Sequence, residues 1–187
     1  MTNLSADESQ GLSPKEWRGR FFEDFEVGDV FRSRLGRTIS EVDNVWFTCL
    51  TMNTNQSHFN DVYSAATRFK RPLVNSCFTL ALVTGLSVPD TSENATANLA
   101  WTDIKLPAPV YAGDTIYAES EILGLRKSAS NPTVGIVSMR TRGLNQNGVV
   151  VIEYQRTFMI YKRTAPEAQS HFPEPKSGWT VGGDPAT

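Results

Sequence analysis

Histidine and cysteine are scarce in this chain of 187 residues, which holds two of each. Cys49 and Cys77 make no metal-binding spacing and no disulfide framework, so a reducing, cytoplasmic setting is expected. Both fall in apolar stretches, which predicts inert core positions. Long hydrophobic runs are missing too. The longest uncharged stretch, residues 72–89, contains Asn75, Ser76, Thr79, Thr84, Gly85 and Ser87 between two prolines. It reads as a buried helix and not as a membrane span. Neither sign of charge is in excess: 18 Lys and Arg against 20 Asp and Glu leave a formal net charge of −2. With its basic residues dispersed, the chain lacks a footprint for nucleic acid or for an anionic membrane. The polar start has no cationic region followed by an apolar run, so no secretory signal is expected. A glycine-rich phosphate loop, a Gly-x-Ser-x-Gly turn and an HExxH pair are absent as well.

What is present suits one globular domain. Hydrophobic residues make up 40% of the chain, enough for a single core at this length. Residues 1–16 read as a flexible segment and 17–163 as the folded unit. Residues 164–187, rich in proline and glycine, read as a tail that lies on the surface or moves.

Within the unit, Gly28-Asp29 marks a turn before an extended run over 30–39. Ser40 with Asp43 forms a capping box that opens a helix carrying Trp46, Phe47 and Leu50. Residues 52–70 are polar with weak periodicity, a loop with one or two short helical turns. Residues 75–87 open on two good capping residues and are apolar on nearly every side: Cys77, Phe78, Leu80, Leu82, Val83, Leu86. Such a rod must be surrounded, and a short chain can do so only by wrapping a sheet about it. Strands are expected over 99–106, 115–125 and 133–142. Asn147-Gly148 is then a type I′ hairpin signal, before a last strand whose apolar face is interrupted only by Arg156. The layout is α+β, a single domain in which an antiparallel sheet wraps one buried helix.

Chemistry has few places to reside. His171 sits in the tail, where a surface position is expected. His58 lies in Asn53-Thr54-Asn55-Gln56-Ser57-His58-Phe59-Asn60-Asp61, between two helices, and four amide side chains around one imidazole pack poorly. The plain alternative is a loop whose Asn side chains satisfy its own backbone.

The pattern Asn53-x-Asn55-x-x-His58, followed by Ala65, Ala66, Phe69 and Pro72 and a capped apolar helix, resembles the MaoC-like, (R)-specific enoyl-CoA hydratase family. Phe22-Glu23-Asp24-Phe25-x-Val27-Gly28-Asp29, Val110-x-x-Gly113-Asp114-Thr115 and Asn145-Gln146-x-Gly148 extend the resemblance over most of 17–163. Asn53-Thr54-Asn55-Gln56 and Arg71-Pro72-Leu73-Val74-Asn75-Ser76 look like a subgroup acting on short branched dicarboxylic acyl-CoAs such as mesaconyl-CoA, β-methylmalyl-CoA and itaconyl-CoA.

The resemblance implies a hot-dog fold, reversible hydration of the 2,3 double bond of an acyl-CoA, no metal or redox cofactor, and a homodimer or dimer of dimers. It makes His58 the proton-transferring group, with Asn53 and Asn55 holding the water. Asn53 departs from the family's aspartate, and an amide cannot accept a proton as a base. Asp61 is a possible substitute carboxylate, and the departure equally suits a chain that binds thioesters without catalysis. At the head of the 75–87 helix, Asn75, Ser76 and Cys77 are candidates to bind substrate, the last two through backbone N–H groups facing the thioester oxygen. Arg68 and Arg71 are candidates for a CoA phosphate or a substrate carboxylate, or are ordinary surface arginines. A thioesterase on the same fold would need an acid in the 75–87 helix, which has none.

Overall fold

The structure is a computed structural model and describes residues 17–169, 171–173 and 175–177. The segment 1–16, expected to be flexible, lies outside the described residues, as do 170, 174 and 178–187 of the tail. The elements in chain order are β1 (Val30–Arg32), β2 (Arg37–Thr38), α1 (Glu41–Leu50), α2 (Asp61–Ala66), α3 (Ser76–Thr91), β3 (Ala95–Lys105), β4 (Thr115–Lys127), β5 (Val134–Leu144) and β6 (Val150–Tyr161). The strands form one antiparallel sheet in the order β1-β4-β5-β6-β3, with β2 pairing beside β1 on β4.

The core lies between this sheet and α3. Ile116, Ala118, Ile152 and Tyr154 pack with Val83 of α3, while Ile122, Val137, Met139, Phe158 and Ile160 pack with Phe25. Gly143 of β5 permits the close approach of α3: a Cβ built there would meet Val83 Cγ2 at 2.5 Å. The packed unit continues past Arg163, because Ala165 and Ala168 are buried against Phe21.

Four expectations need correction. The extended run over 30–39 is two short strands, since the chain breaks between Arg32 and Arg37. The hairpin at Asn147-Gly148 is not type I′, because only Gly148 of the pair has positive φ. Gly148 N–H instead closes on the Asn145 carbonyl at 2.9 Å, and the register shifts just beyond, as in a type I turn followed by a bulge. The apolar helix is longer than 75–87 and continues through Pro89 to Thr91. Pro89 is tolerated because it and Gly85, whose carbonyl it leaves unpaired, both lie on the exposed side.

The fourth correction concerns which faces are buried. The sheet covers only one stripe of α3, namely Thr79, Val83, Ser87 and Thr91. Three of those four are polar, and their hydroxyls bond back to carbonyls one turn earlier: Thr79 to Asn75, Ser87 to Thr84, Thr91 to Ser87. The apolar side, with Phe78, Leu82 and Leu86, faces a groove of 940 Å³ shared with Trp17, Leu35 and Phe47. Helix α1 is inverted in the same way, burying Asn44 and Thr48 while Trp46 is 67% and Leu50 73% exposed. Cys49 and Cys77 are exposed, not core residues, because each falls on an outward face.

Candidate active site

The loop between α1 and α3 is shaped by its own asparagines. Asn53 Oδ1 accepts from the Asn55 N–H at 3.0 Å, and Asn55 Oδ1 accepts from the Ser57 N–H and hydroxyl at 3.1 and 2.8 Å. Asn55 thereby caps the 3-10 turn Gln56–His58, and Asn60 caps α2 through the Tyr63 N–H. The plain reading of this loop holds for these three amide oxygens. Neither Asn53 nor Asn55 lines the two cavities that flank His58.

His58, at the end of that turn, is half-buried. Its Nδ1 lies 3.0 Å from the Leu73 carbonyl oxygen. A carbonyl only accepts, so the bond requires the proton on Nδ1, and in the neutral ring the lone pair is then on Nε2. Asn44, which sequence reasoning missed, fixes this arrangement from α1. Its Nδ2 donates to the carbonyls of His58 at 2.8 Å and Leu73 at 2.9 Å, and its Oδ1 accepts from the Asn75 N–H at 2.8 Å. Asn44 is 4% exposed, so these bonds are made away from water. The signal available in the sequence was the polar pair Asn44 and Thr48 at helical spacing, in phase with the Ser40 capping box.

At the head of α3 the candidates separate. Asn75 is buried and structural: its Oδ1 takes the Cys77 N–H at 3.0 Å and its Nδ2 reaches Thr48 Oγ1 at 3.3 Å. Cys77 N–H is therefore occupied and does not face a substrate, a correction to its expected role. Ser76, the first helical residue, has no intrahelical acceptor for its N–H and lines a cavity of 300 Å³ with His58, Arg68 and Thr79. A second cavity, of 250 Å³, is lined by His58, Asp61, Arg71 and Glu41. The chain thus brings together His58, Ser76 and Arg68 in one space, and His58, Asp61 and Arg71 in the other. Arg68 stacks over Phe69 at 4.6 Å and Arg71 over Tyr111 at 3.8 Å. His171 is exposed in the tail, as expected. Among the described residues no group of His, Cys, Asp and Glu could hold a metal ion, and no helix is long and apolar enough to cross a membrane.

Comparison with known proteins finds relatives over most of the chain. The family described as mesaconyl-CoA hydratase matches residues 11–177. A mesaconyl-CoA hydratase of Cereibacter sphaeroides is 37% identical over 158 residues, covering 83% of this chain and 46% of that protein. A beta-methylmalyl-CoA dehydratase of Chloroflexus aurantiacus is 34% identical over 165 residues, covering 87% and 47%. In fold, a double hot-dog protein of Mycobacterium tuberculosis superposes with a TM-score of 0.72 at 20% identity, over 86% of this chain and 53% of that one. The chain spans about half the length of these two relatives. Built on a hot-dog fold with its imidazole at the head of the central helix, the chain belongs to the mesaconyl-CoA hydratase family.

Proposed function

We propose that the chain is a hydro-lyase that reversibly adds water across the 2,3 double bond of an acyl-CoA, with a short branched dicarboxylic acyl group such as the mesaconyl group. The observation that carries this reading is the Nδ1 bond from His58 to Leu73, which leaves Nε2 as a base beside the head of α3. Nε2 takes a proton from water as the oxygen bonds to C3. The double-bond electrons move toward the thioester oxygen, where the Ser76 N–H and the dipole of α3 stabilise the developing negative charge. His58 then returns the proton to C2. No electrons leave the substrate, so the proposed chemistry calls for no redox cofactor, and the thioester oxygen is assigned to the Ser76 N–H and the α3 dipole instead of a metal. A cytoplasmic setting is part of this proposal, in keeping with the unpaired cysteines Cys49 and Cys77.

Two copies of the chain would pair through β3. This strand ends the sheet and exposes Leu99, Trp101 and Ile104 by 48%, 40% and 45%. An apolar, unpaired edge is a surface that proteins cover. A pair would also match the chain length of the relatives, as a homodimer or a dimer of dimers.

One observation favours a second reading, that of a non-catalytic acyl-CoA-binding subunit: the Asn53 amide stands where the family has a carboxylate and is turned onto its own loop. A thioesterase is disfavoured, because the single acid of α3, Asp90, lies at its far end. Purified protein given mesaconyl-CoA and crotonyl-CoA separates these readings. Loss of the conjugated-thioester absorbance without free thiol supports hydration. Release of thiol supports a thioesterase, and retained binding without turnover supports the binding subunit. Sedimentation of the same sample tests the pairing.

A further inference from the structure

The two cavities that share His58 as a lining residue differ in charge. The one at the head of α3 is lined by Arg68 and by no carboxylate, and its remaining walls are hydroxyl or apolar groups such as Ser76, Thr79, Leu106 and Val110. The one on the α1 side contains Arg71, but Glu41 and Asp61 line it as well, so it is net negative before any ligand arrives. Arg68 takes part in none of the five ion pairs among the described residues. Its guanidinium carbon lies 4.6 Å from the Phe69 ring centroid, and a guanidinium with no ion pair of its own can take a planar, two-point partner.

We propose that Arg68 reads a carboxylate carried by the acyl group in the cavity at the head of α3, making that cavity the dicarboxylate subsite. This rests on the hydratase reading above. Size supports it: a sphere of 300 Å³ is only about 8 Å across, at the small end of ligand pockets. A group bound there lies within one short acyl chain of both His58 and Ser76, whereas the CoA phosphates sit beyond a pantetheine arm longer than the cavity. Charge supports it too. An anion entering beside Arg68 meets one cation and no like charge, while an anion beside Arg71 meets two carboxylates. The subsite therefore selects a doubly acidic acyl group against a simple enoyl chain, and the acidic cavity repels the same group.

The test compares mesaconyl-CoA, which carries the second carboxylate, with crotonyl-CoA, which lacks it. Binding is measured by calorimetry and turnover by absorbance, on the full chain. Arg68→Gln is expected to weaken mesaconyl-CoA binding by roughly 10- to 100-fold, the span of a lost hydrogen-bonded charge contact, and to leave crotonyl-CoA within about threefold. Arg68→Lys should recover part of the loss, and Arg71→Gln should leave the ratio of the two ligands unchanged. Equal losses on both ligands in Arg68→Gln, or a changed ratio in Arg71→Gln, would overturn the assignment. Wild-type protein that binds both ligands and hydrates neither sinks the hydratase reading alone, and the binding ratio still decides Arg68. Wild-type protein that binds neither sinks both.

Discussion

Asn44 on α1 and His58 on the following loop are joined by one hydrogen bond, from the Asn44 amide to the His58 carbonyl at 2.8 Å. The same amide holds Leu73, whose carbonyl also receives the imidazole. One buried side chain thus sets the distance between a helix, the imidazole and the head of α3. Asn44→Ala orphans the His58 carbonyl and the Asn75 N–H, leaves the Leu73 carbonyl with the imidazole alone, and should cost roughly 2–4 kcal/mol of stability. At temperatures where the variant remains folded, kcat should fall more than KM rises, since the imidazole loses its alignment. Equal thermal midpoints for variant and wild type would show that the bonds carry little.

His58→Ala should lower the hydration rate by about 10²–10⁴-fold, the usual contribution of a positioned acid-base group. Circular dichroism should report an unchanged fold. A variant that keeps full activity removes His58 from the chemistry.

Asp43 gives a pH signature at the start of α1. The Arg37 guanidinium, bonded to it at 2.7 Å, together with the Ser40 N–H holds its carboxyl well below the usual carboxylate range. A depressed folded-state pKa means that the stabilisation is complete above the unfolded value near 3.9 and is lost as the pH falls below it. Asp43→Asn should therefore melt earlier than wild type at pH 7, and the two should converge as the pH is taken down through 4 toward 2. A gap that stays constant over that range contradicts the linkage.

Gly143→Ala tests the contact between α3 and β5. The added methyl would meet Val83 Cγ2 at 2.5 Å and Ile152 Cγ2 at 2.9 Å, so one of the two must yield. Overpacking of this kind costs about 1–3 kcal/mol, read as a shift in the urea midpoint. No shift would mean that the helix backs away freely.

Arg156 is 2% exposed, and its Nε and Nη2 have no hydrogen-bond partner. Burial pushes its guanidinium pKa down from the ordinary value. Arg156→Met keeps much of the side-chain bulk and removes the uncompensated charge, so it should raise stability by roughly 1–3 kcal/mol. A lowered urea midpoint would show that the charge is matched in solution.

The sequence disclosed most of the element order. The Ser40 capping box, the cap at Asn75 and the alternation along 115–125 and 150–160 are local signals, and each appears in the structure where local chemistry puts it. The phase of the two helices was not legible. Trp46 and Leu50 share a face, but a hydrophobic pattern does not say that the facing backbone needs an amide, and it is Asn44 that turns inward. The same limit hid the partition of Arg68 and Arg71 into separate cavities. Three residues apart in sequence, they line different cavities, and Lys70 between them takes a positive φ.

The position of β3 has a consequence for how the molecule behaves on dilution. A ribbon that leans on a single neighbour and wets both its flanks would, under the proposed pairing, gain from company and make protein concentration a working variable alongside substrate. Specific activity that declines below some threshold of dilution, and recovers on reconcentration, would be the kinetic shadow of that bare margin.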